Sequence, residues 1–167
     1  MDIKNIEAVK RSVDAARKSP PASFSSEFLS VRKAKIGSPV IVYTPAGEPA
    51  SWLVPFLQKD RVCGFAQVDL SLNVGSIGIF GASADDFASW LDASFFEKPP
   101  EKYLSEIKKR YPKSIITEPI FSYDKSPSKW GWRLEVKEGN ATQSVIFINP
   151  GGWYERPPDT TRADLEG

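Results

Sequence analysis

The sequence contains no histidine and only one cysteine, and this composition excludes much of enzyme chemistry. Without histidine there is no Ser-His-Asp or Cys-His nucleophile pair, no histidine-ligated zinc and no ordinary proton shuttle near neutral pH. A single cysteine, Cys63, cannot form an intramolecular disulfide. Only Arg61 is a nearby basic group, so we expect Cys63 to be buried and inert. The sequence therefore predicts a protein that is not an enzyme and has no cofactor and no metal.

An excess of one charge and a long apolar run are also missing. The 22 lysines and arginines oppose 21 acidic residues, so no global field attracts nucleic acid or an anionic membrane. No apolar run approaches the ~18 residues that would cross a bilayer. The first residues, MDIKNIEAVKRSVDAARK, carry charges throughout, so we do not expect them to be a signal peptide. We expect no nucleic-acid partner and no integral membrane segment, in a cytoplasmic protein or an exported one whose signal peptide was removed. The oligomeric state stays open.

What the sequence does contain is a series of periodic segments separated by proline, glycine and polar turn residues. Hydrophobic residues make up 41% of the chain, which suits one globular domain or two small ones. Apolar residues at helical spacing predict helices, and runs of β-branched and aromatic residues predict strands. The predicted helices cover 3–18, 24–33, 83–97 and a segment after Pro99-Pro100. The predicted strands cover 39–43, 51–57, 61–70, 73–80, 114–123, 129–136 and 143–149, and their short loops favour antiparallel pairing.

The chain also matches itself at a shift of 80 residues. The pattern P-x3-Y-x8-W begins at Pro39 and again at Pro119, and the predicted elements follow in the same order. This agreement predicts an internal duplication into 1–81 and 82–155, followed by a flexible tail at 156–167. The predicted fold class is α+β, with two related helix-plus-antiparallel-sheet halves and no parallel doubly wound sheet.

The segment KWGWRLEV (129–136) carries two tryptophans one residue apart. Trp132, Leu134 and Val136 alternate with polar residues, so they are expected to face the core while Arg133 and Glu135 face solvent. Trp130 shares the buried parity but lies near the end of the strand, so its role stays open.

The stretch WLVPFLQKDRVCGFAQVDLSLNVGSI (52–77) resembles the meander of PepSY-type domains, which belong to the cystatin-like arrangements. The likeness is carried by a strand, a turn, a strand ending in Val68-Asp69 and a further strand, and it covers about half of the chain. The turn after Asp69 lacks the Thr-Gly pair that is usual in the family. The resemblance implies a non-catalytic module that binds or inhibits a protein partner such as a peptidase.

The segment GGWYER (151–156) is the leading candidate for a binding surface. Trp153 and Tyr154 point in opposite directions if the chain is extended, so one of them is expected to lie exposed beside Arg156. Tryptophan, tyrosine and arginine are the residues that anchor interfaces. We predict a partner-binding surface at Trp153, Tyr154 and Arg156, with Trp130 as a neighbour. The alternative is a last strand in which Trp153 caps the sheet.

Two other functions compete with partner binding. A small apolar ligand or lipid could bind between helix and sheet, in a pocket lined by Phe56, Phe65, Trp90 and Phe95. An enzyme using carboxylates at Asp85, Asp86, Asp92 and Glu97 is the weakest alternative, because the first two are explained as residues that start a helix.

Overall fold

The computed structural model describes residues 3–19, 29–79, 91–125 and 129–158. The α-helices in these ranges are α1 (Ile3–Lys18), α2 (Leu29–Lys33) and α3 (Glu101–Arg110). The strands are β1 (Lys35–Ile36), β2 (Val40–Tyr43), β3 (Pro49–Gln58), β4 (Arg61–Asp69), β5 (Val74–Ile79), β6 (Leu91–Asp92), β7 (Ile115–Ile116), β8 (Ile120–Tyr123), β9 (Trp130–Glu138), β10 (Ala141–Asn149) and β11 (Gly152–Arg156). No helix of the described ranges is long and apolar enough to cross a membrane.

The first and last predicted helices are present. In α1 the apolar stripe buries Val9 and Val13 completely, as its helical spacing predicts. Helix α3 begins directly after Pro100, whose fixed φ suits a helix start, and it buries Tyr103 and Ile107.

The predicted helix over 83–97 is wrong where the structure describes it. Leu91 and Asp92 form strand β6, which pairs with β4, and Ala93–Phe96 is a single 3-10 turn. The Asp92 carboxylate accepts a hydrogen bond from the Ser94 backbone N–H at 2.9 Å, so the turn begins there. Residues 80–90, which include Ser83, Asp85, Asp86 and Trp90, lie outside the described residues.

The predicted fold class is also wrong. Among the residues that the structure describes, strands make up 48% and helices 24%. The strands form one mixed sheet in the order β11-β10-β9-β8-β2-β3-β4-β5, with β1 on β3, β6 on β4 and β7 on β9. Tyr43 of β2 pairs with Ser122 of β8 in parallel, and the Ser122 hydroxyl donates to the Tyr43 carbonyl at 2.7 Å. Short hairpin loops predict only pairs that are adjacent in the chain, so they gave no sign of this pair. The cystatin-like duplication of helix-plus-antiparallel-sheet halves is not supported.

Contacts divide the chain into two compact units. The first unit is Met1–Val42 with Pro49–Lys98, and the second is Tyr43–Glu48 with Pro99–Gly167. The sequence places a division at residues 81 and 82, whereas the compact units change at Lys98 and Pro99.

The core of the first unit lies between α1, α2 and one face of β3 and β4. Phe56 is completely buried in this cluster, and so is Cys63, whose thiol donates to the Phe56 carbonyl at 3.4 Å. The prediction that Cys63 is buried is confirmed. Burial raises the pKa of the Cys63 thiol to about 11, so the thiol is protonated at neutral pH. Gly64 allows a close approach of two strands, because a Cβ there would lie 2.4 Å from the Gly78 carbonyl oxygen.

In the second unit, strand β9 buries Trp132, Leu134 and Val136 as predicted. The opposite face was expected to be solvated, and this is wrong at Arg133, which is only 6% exposed. The Arg133 guanidinium lies 2.9 Å from a carboxylate oxygen of half-buried Glu135, so its charge is paired two residues along the same strand face. Alternation alone shows which residues share a face, but it cannot show that a charged face is covered.

Candidate functional site

The candidate site is built on β11, the last strand of the second unit. The Asn149 side chain accepts a hydrogen bond from the Gly151 backbone N–H at 3.0 Å, which forms the turn that returns the chain alongside β10. From Gly152 to Arg156 the chain then pairs with β10 in antiparallel register. Among the described strands β11 pairs with β10 alone, so its outer edge offers backbone donors and acceptors.

One face of β11 is held by helix α3. The Trp153 indole N–H donates to a Glu106 carboxylate oxygen at 2.9 Å, and the Arg110 guanidinium lies 5.6 Å from the centre of the Trp153 ring. Arg110 also forms an ion pair with Glu155 at 3.3 Å. Glu106 and Arg110 are one helical turn apart (~6 Å), which matches the ~6.6 Å between alternate strand residues. Helix α3 therefore contacts the Trp153–Glu155 face of β11 through these two side chains.

The other face of β11 is held by Asp124, which follows strand β8. The Tyr154 hydroxyl donates to one oxygen of Asp124 at 2.7 Å, and the Arg156 Nε lies 3.0 Å from the other. The contact between Arg156 and Asp124 is an ion pair. The Tyr154 ring stacks on the Phe147 ring, with the two centroids 5.8 Å apart. The Arg156 guanidinium lies 5.3 Å from the Phe147 centroid.

These contacts also set the protonation of the site. Burial, and then the hydrogen bond to the Asp124 carboxylate, raise the pKa of Tyr154 to about 12. The hydrogen bond from Tyr111 is the largest effect that lowers the pKa of Glu155, and the nearby Arg110 charge lowers it further. At neutral pH Tyr154 is therefore a neutral hydrogen-bond donor, while Glu155 is ionised.

Two grooves border β11, and Tyr154 lines both of them. The first, here named the Trp130 groove, has a volume of 430 Å³ and is lined by Asp124, Lys129, Trp130, Gly131, Phe147, Ile148, Asn149 and Tyr154. The second, the Trp153 groove, has a volume of 730 Å³ and is lined by Arg110, Gln143, Ser144, Trp153, Tyr154, Glu155, Arg156, Pro157 and Pro158. The four residues predicted for partner binding thus line two grooves that share Tyr154. We call Trp130, Trp153, Tyr154 and Arg156 the β11 surface.

The residues predicted to line an apolar pocket have different surroundings. Phe56 is completely buried and lies opposite Gly64 in the sheet, whereas Phe65 lies opposite Pro55. Because successive residues of a strand point to opposite faces, Phe56 and Phe65 lie on different faces. Phe95 is buried edge-on against its neighbour Phe96, and Trp90 lies outside the described residues.

Sequence reasoning missed the residues that hold the β11 surface in place, namely Glu106, Arg110, Asp124 and Phe147. The only signal was weak: Glu106 and Arg110 are spaced i,i+4 on the polar side of a predicted helix. Within the described ranges no group of three or more histidine, cysteine, aspartate or glutamate residues could hold a metal ion. Asp92, which had been considered for carboxylate chemistry, caps the turn at Ala93–Phe96.

No protein-family model matches this chain, and searches of curated proteins and of solved structures found no significant match. The function is therefore inferred from the contacts of the chain itself.

Proposed function

We propose that this protein is a non-catalytic binding module that regulates or inhibits a protein partner through the β11 surface. The observation that carries the proposal is that two aromatic side chains on an edge strand, Trp153 and Tyr154, are held in place by neighbouring residues. Trp153 and Tyr154 each donate a hydrogen bond to a carboxylate, and each also has a second contact, with Arg110 and Phe147 respectively.

Such held aromatic side chains lower the cost of binding. A side chain that is already fixed loses little rotamer freedom when a partner covers it, and fixing a mobile one costs about 0.5–1.5 kcal/mol. Tyr154 is 39% exposed and is one of only three large hydrophobic residues that the described part of the chain leaves exposed. Tyrosine, tryptophan and arginine are the residues most enriched at the centres of interfaces, so this combination favours protein recognition.

The class of the partner stays a prediction. The resemblance of residues 52–77 to PepSY-type domains suggests that the partner is a peptidase. The residues of the β11 surface do not by themselves indicate a peptidase. What the surface does favour is a partner that covers an exposed tyrosine beside open backbone groups.

A second candidate function rests on the Trp130 groove. Its volume of 430 Å³ falls within the range of about 300–1,000 Å³ that small-molecule sites occupy. Trp130, Phe147 and Tyr154 give it aromatic walls, so a small apolar ligand could lie there. Native mass spectrometry of the purified protein distinguishes this function, since a retained ligand adds a discrete mass that Trp130→Ala would remove.

The proposed function is tested by selecting short random peptides, displayed on phage, on the folded protein. We expect enriched peptides to bind the Tyr154→Ala variant about tenfold more weakly, because a central aromatic anchor contributes at least this much. Leu70→Ala is the matched control, since Leu70 is a large exposed hydrophobic residue of the first unit, and it should leave binding unchanged. If no peptide is enriched above an unrelated protein, or if Tyr154→Ala binds every peptide as well as the wild type does, the proposal fails.

A further inference from the structure

We infer that the β11 surface takes an extended acidic segment of its partner as an added strand, with the partner's carboxylates against the basic side of helix α3. This inference rests on the proposed function, and it adds the conformation and the charge of what binds.

The extended conformation follows from the edge of β11. Five consecutive residues, Gly152–Arg156, pair with β10 without an irregularity in register. Every second residue of an edge strand directs its backbone N–H and C=O away from the sheet, where an extended peptide can bond to them. Natural edges are commonly blocked by proline or by a bulge. Here proline follows only at Pro157, after the strand has ended.

The acidic character follows from helix α3, which contacts one face of β11. Lys102, Glu106 and Lys109 are spaced i, i+4 and i+7, so they share one side of α3. Glu106 is the residue that accepts the Trp153 indole hydrogen bond, so the two lysines lie about one turn before and after the point where α3 meets β11. Both lysines are exposed, and within the described residues neither pairs with a carboxylate.

The spacing of these lysines fits a strand. Along the helix, Lys102 and Lys109 are about 10 Å apart, since each residue advances about 1.5 Å. Alternate residues of a strand are ~6.6 Å apart. Acidic residues at alternate positions of the partner strand would therefore place carboxylates within reach of both lysine side chains, which are long and flexible. Arg110, in the last turn of α3, is already paired with Glu155, so the two lysines are the positive charges that a partner would meet. The other face of the added strand would lie beside the Tyr154–Phe147 stack, where apolar side chains fit.

The charge is tested with fluorescently labelled synthetic peptides in which glutamate alternates with valine, compared with lysine–valine and serine–valine peptides of equal length. Fluorescence anisotropy should show that the acidic peptide binds most tightly and weakens as salt is added. In the double variant Lys102→Glu with Lys109→Glu, affinity for the acidic peptide should fall roughly tenfold and affinity for the basic peptide should rise. Lys33→Glu with Lys35→Glu is the control, because it makes the same change in net charge at exposed positions of the first unit.

The added strand is tested with acidic peptides that are N-methylated at alternate residues. A peptide strand bonds to β11 through one edge only, so methylation of one alternate set should abolish binding and methylation of the other should leave it. An equal effect of both sets would overturn the strand model. Sedimentation equilibrium should show a monomer at the concentrations used, since a dimer that Tyr154→Ala dissociates would mean that a second copy occupies the edge.

The outcomes separate this inference from the proposed function. If acidic, basic and neutral peptides bind equally but all need Tyr154, the charge inference is wrong and the proposed function stands. If the random library also yields no peptide that depends on Tyr154, the proposed function itself is wrong.

Discussion

Strand β5 of the first unit and strand β11 of the second unit differ in what their side chains do. Strand β5 carries two glycines and no charged residue, and its apolar residues Val74, Ile77 and Ile79 pack against the core of the first unit. Strand β11 instead carries Trp153, Tyr154, Glu155 and Arg156, and all four have polar or ionic partners. A strand whose side chains complete a core has little left for recognition, whereas β11 keeps aromatic and charged groups at the surface in fixed positions.

The helices of the two units show the same difference. Helix α1 contributes Val9 and Val13 to the first core, and both are completely buried. Helix α3 buries Tyr103 and Ile107 in the same way, but its polar side also holds β11 through Glu106 and Arg110. We therefore expect substitutions in the first unit to change stability mainly, and substitutions around β11 to change recognition mainly.

The largest effect should come from Phe56→Ala in the first unit. Phe56 is completely buried in the core cluster of the first unit, so its removal leaves a cavity and should lower the free energy of unfolding by about 3–5 kcal/mol. Phe65→Ala is the control, because Phe65 is only half-buried, and it should cost clearly less. Urea denaturation measures both values. A loss of less than about 1 kcal/mol for Phe56→Ala would mean that the first unit does not depend on this core.

The next largest loss of stability is expected for Gly131→Ala, because two strands pack closely under the Trp130 groove. A Cβ at Gly131 would lie 2.5 Å from the Ile148 carbonyl oxygen, which is backbone and cannot swing aside. Gly131→Ala should therefore lower the free energy of unfolding by about 1–3 kcal/mol, the usual cost of overpacking. Gly151→Ala is the matched control, since its Cβ would meet nothing closer than 3.6 Å. Equal denaturation midpoints for the two variants would contradict the close approach.

These comparisons also show what the sequence could and could not reveal about the fold. Periodicity found α1, α3 and the longer strands but not the two-residue strands β1 and β6, because each longer element depends on residues that are close in the chain. It failed at Leu91–Asp92, where apolar residues at helical spacing predict a helix but Asp92 begins a 3-10 turn. It also gave no sign of the parallel pair between Tyr43 and Ser122, which are far apart in the chain. Pairing of distant strands depends on tertiary packing that local patterns do not encode.

For the candidate site, composition and position identified the exposed residues but not what holds them. Trp153, Tyr154 and Arg156 stood out because the periodic pattern ends at Asn149. Their partners Glu106 and Asp124 are 47 and 30 residues away from Trp153 and Tyr154. A single carboxylate on a helix or in a turn is most often solvated, so nothing local marks it as the acceptor for a distant aromatic side chain.

A smaller effect is expected for Trp153→Ala, which decides between a recognition surface and a cap on the sheet. Trp153 is half-buried and its indole N–H bonds to exposed Glu106, so we expect a loss of about 1 kcal/mol in the free energy of unfolding. Trp132→Ala, in the buried face of β9, should cost about 3–5 kcal/mol in the same unit. If both variants lose several kcal/mol, Trp153 is a structural cap and the β11 surface is wrong at this residue. Weaker peptide binding with nearly unchanged stability would support recognition.

The smallest expected effect is spectroscopic and concerns Tyr154. Its pKa is raised to about 12 because burial and the Asp124 carboxylate both disfavour the phenolate. The folded protein therefore keeps this proton at a pH where the unfolded chain, with a pKa near 10, begins to lose it. The stabilising contribution is fully present below about pH 10 and is lost as the pH rises through about 12, so the sign is a loss of stability with increasing pH. Subtracting the ultraviolet phenolate absorbance of Tyr154→Phe from that of the wild type isolates this titration.

Asp124→Asn should lower the pKa of Tyr154 only in part, since burial, the larger cause, remains. A Tyr154 pKa near 10 in the folded wild type would mean that Asp124 does not hold Tyr154. The claim that Tyr154 is a fixed side chain of the β11 surface would then be wrong.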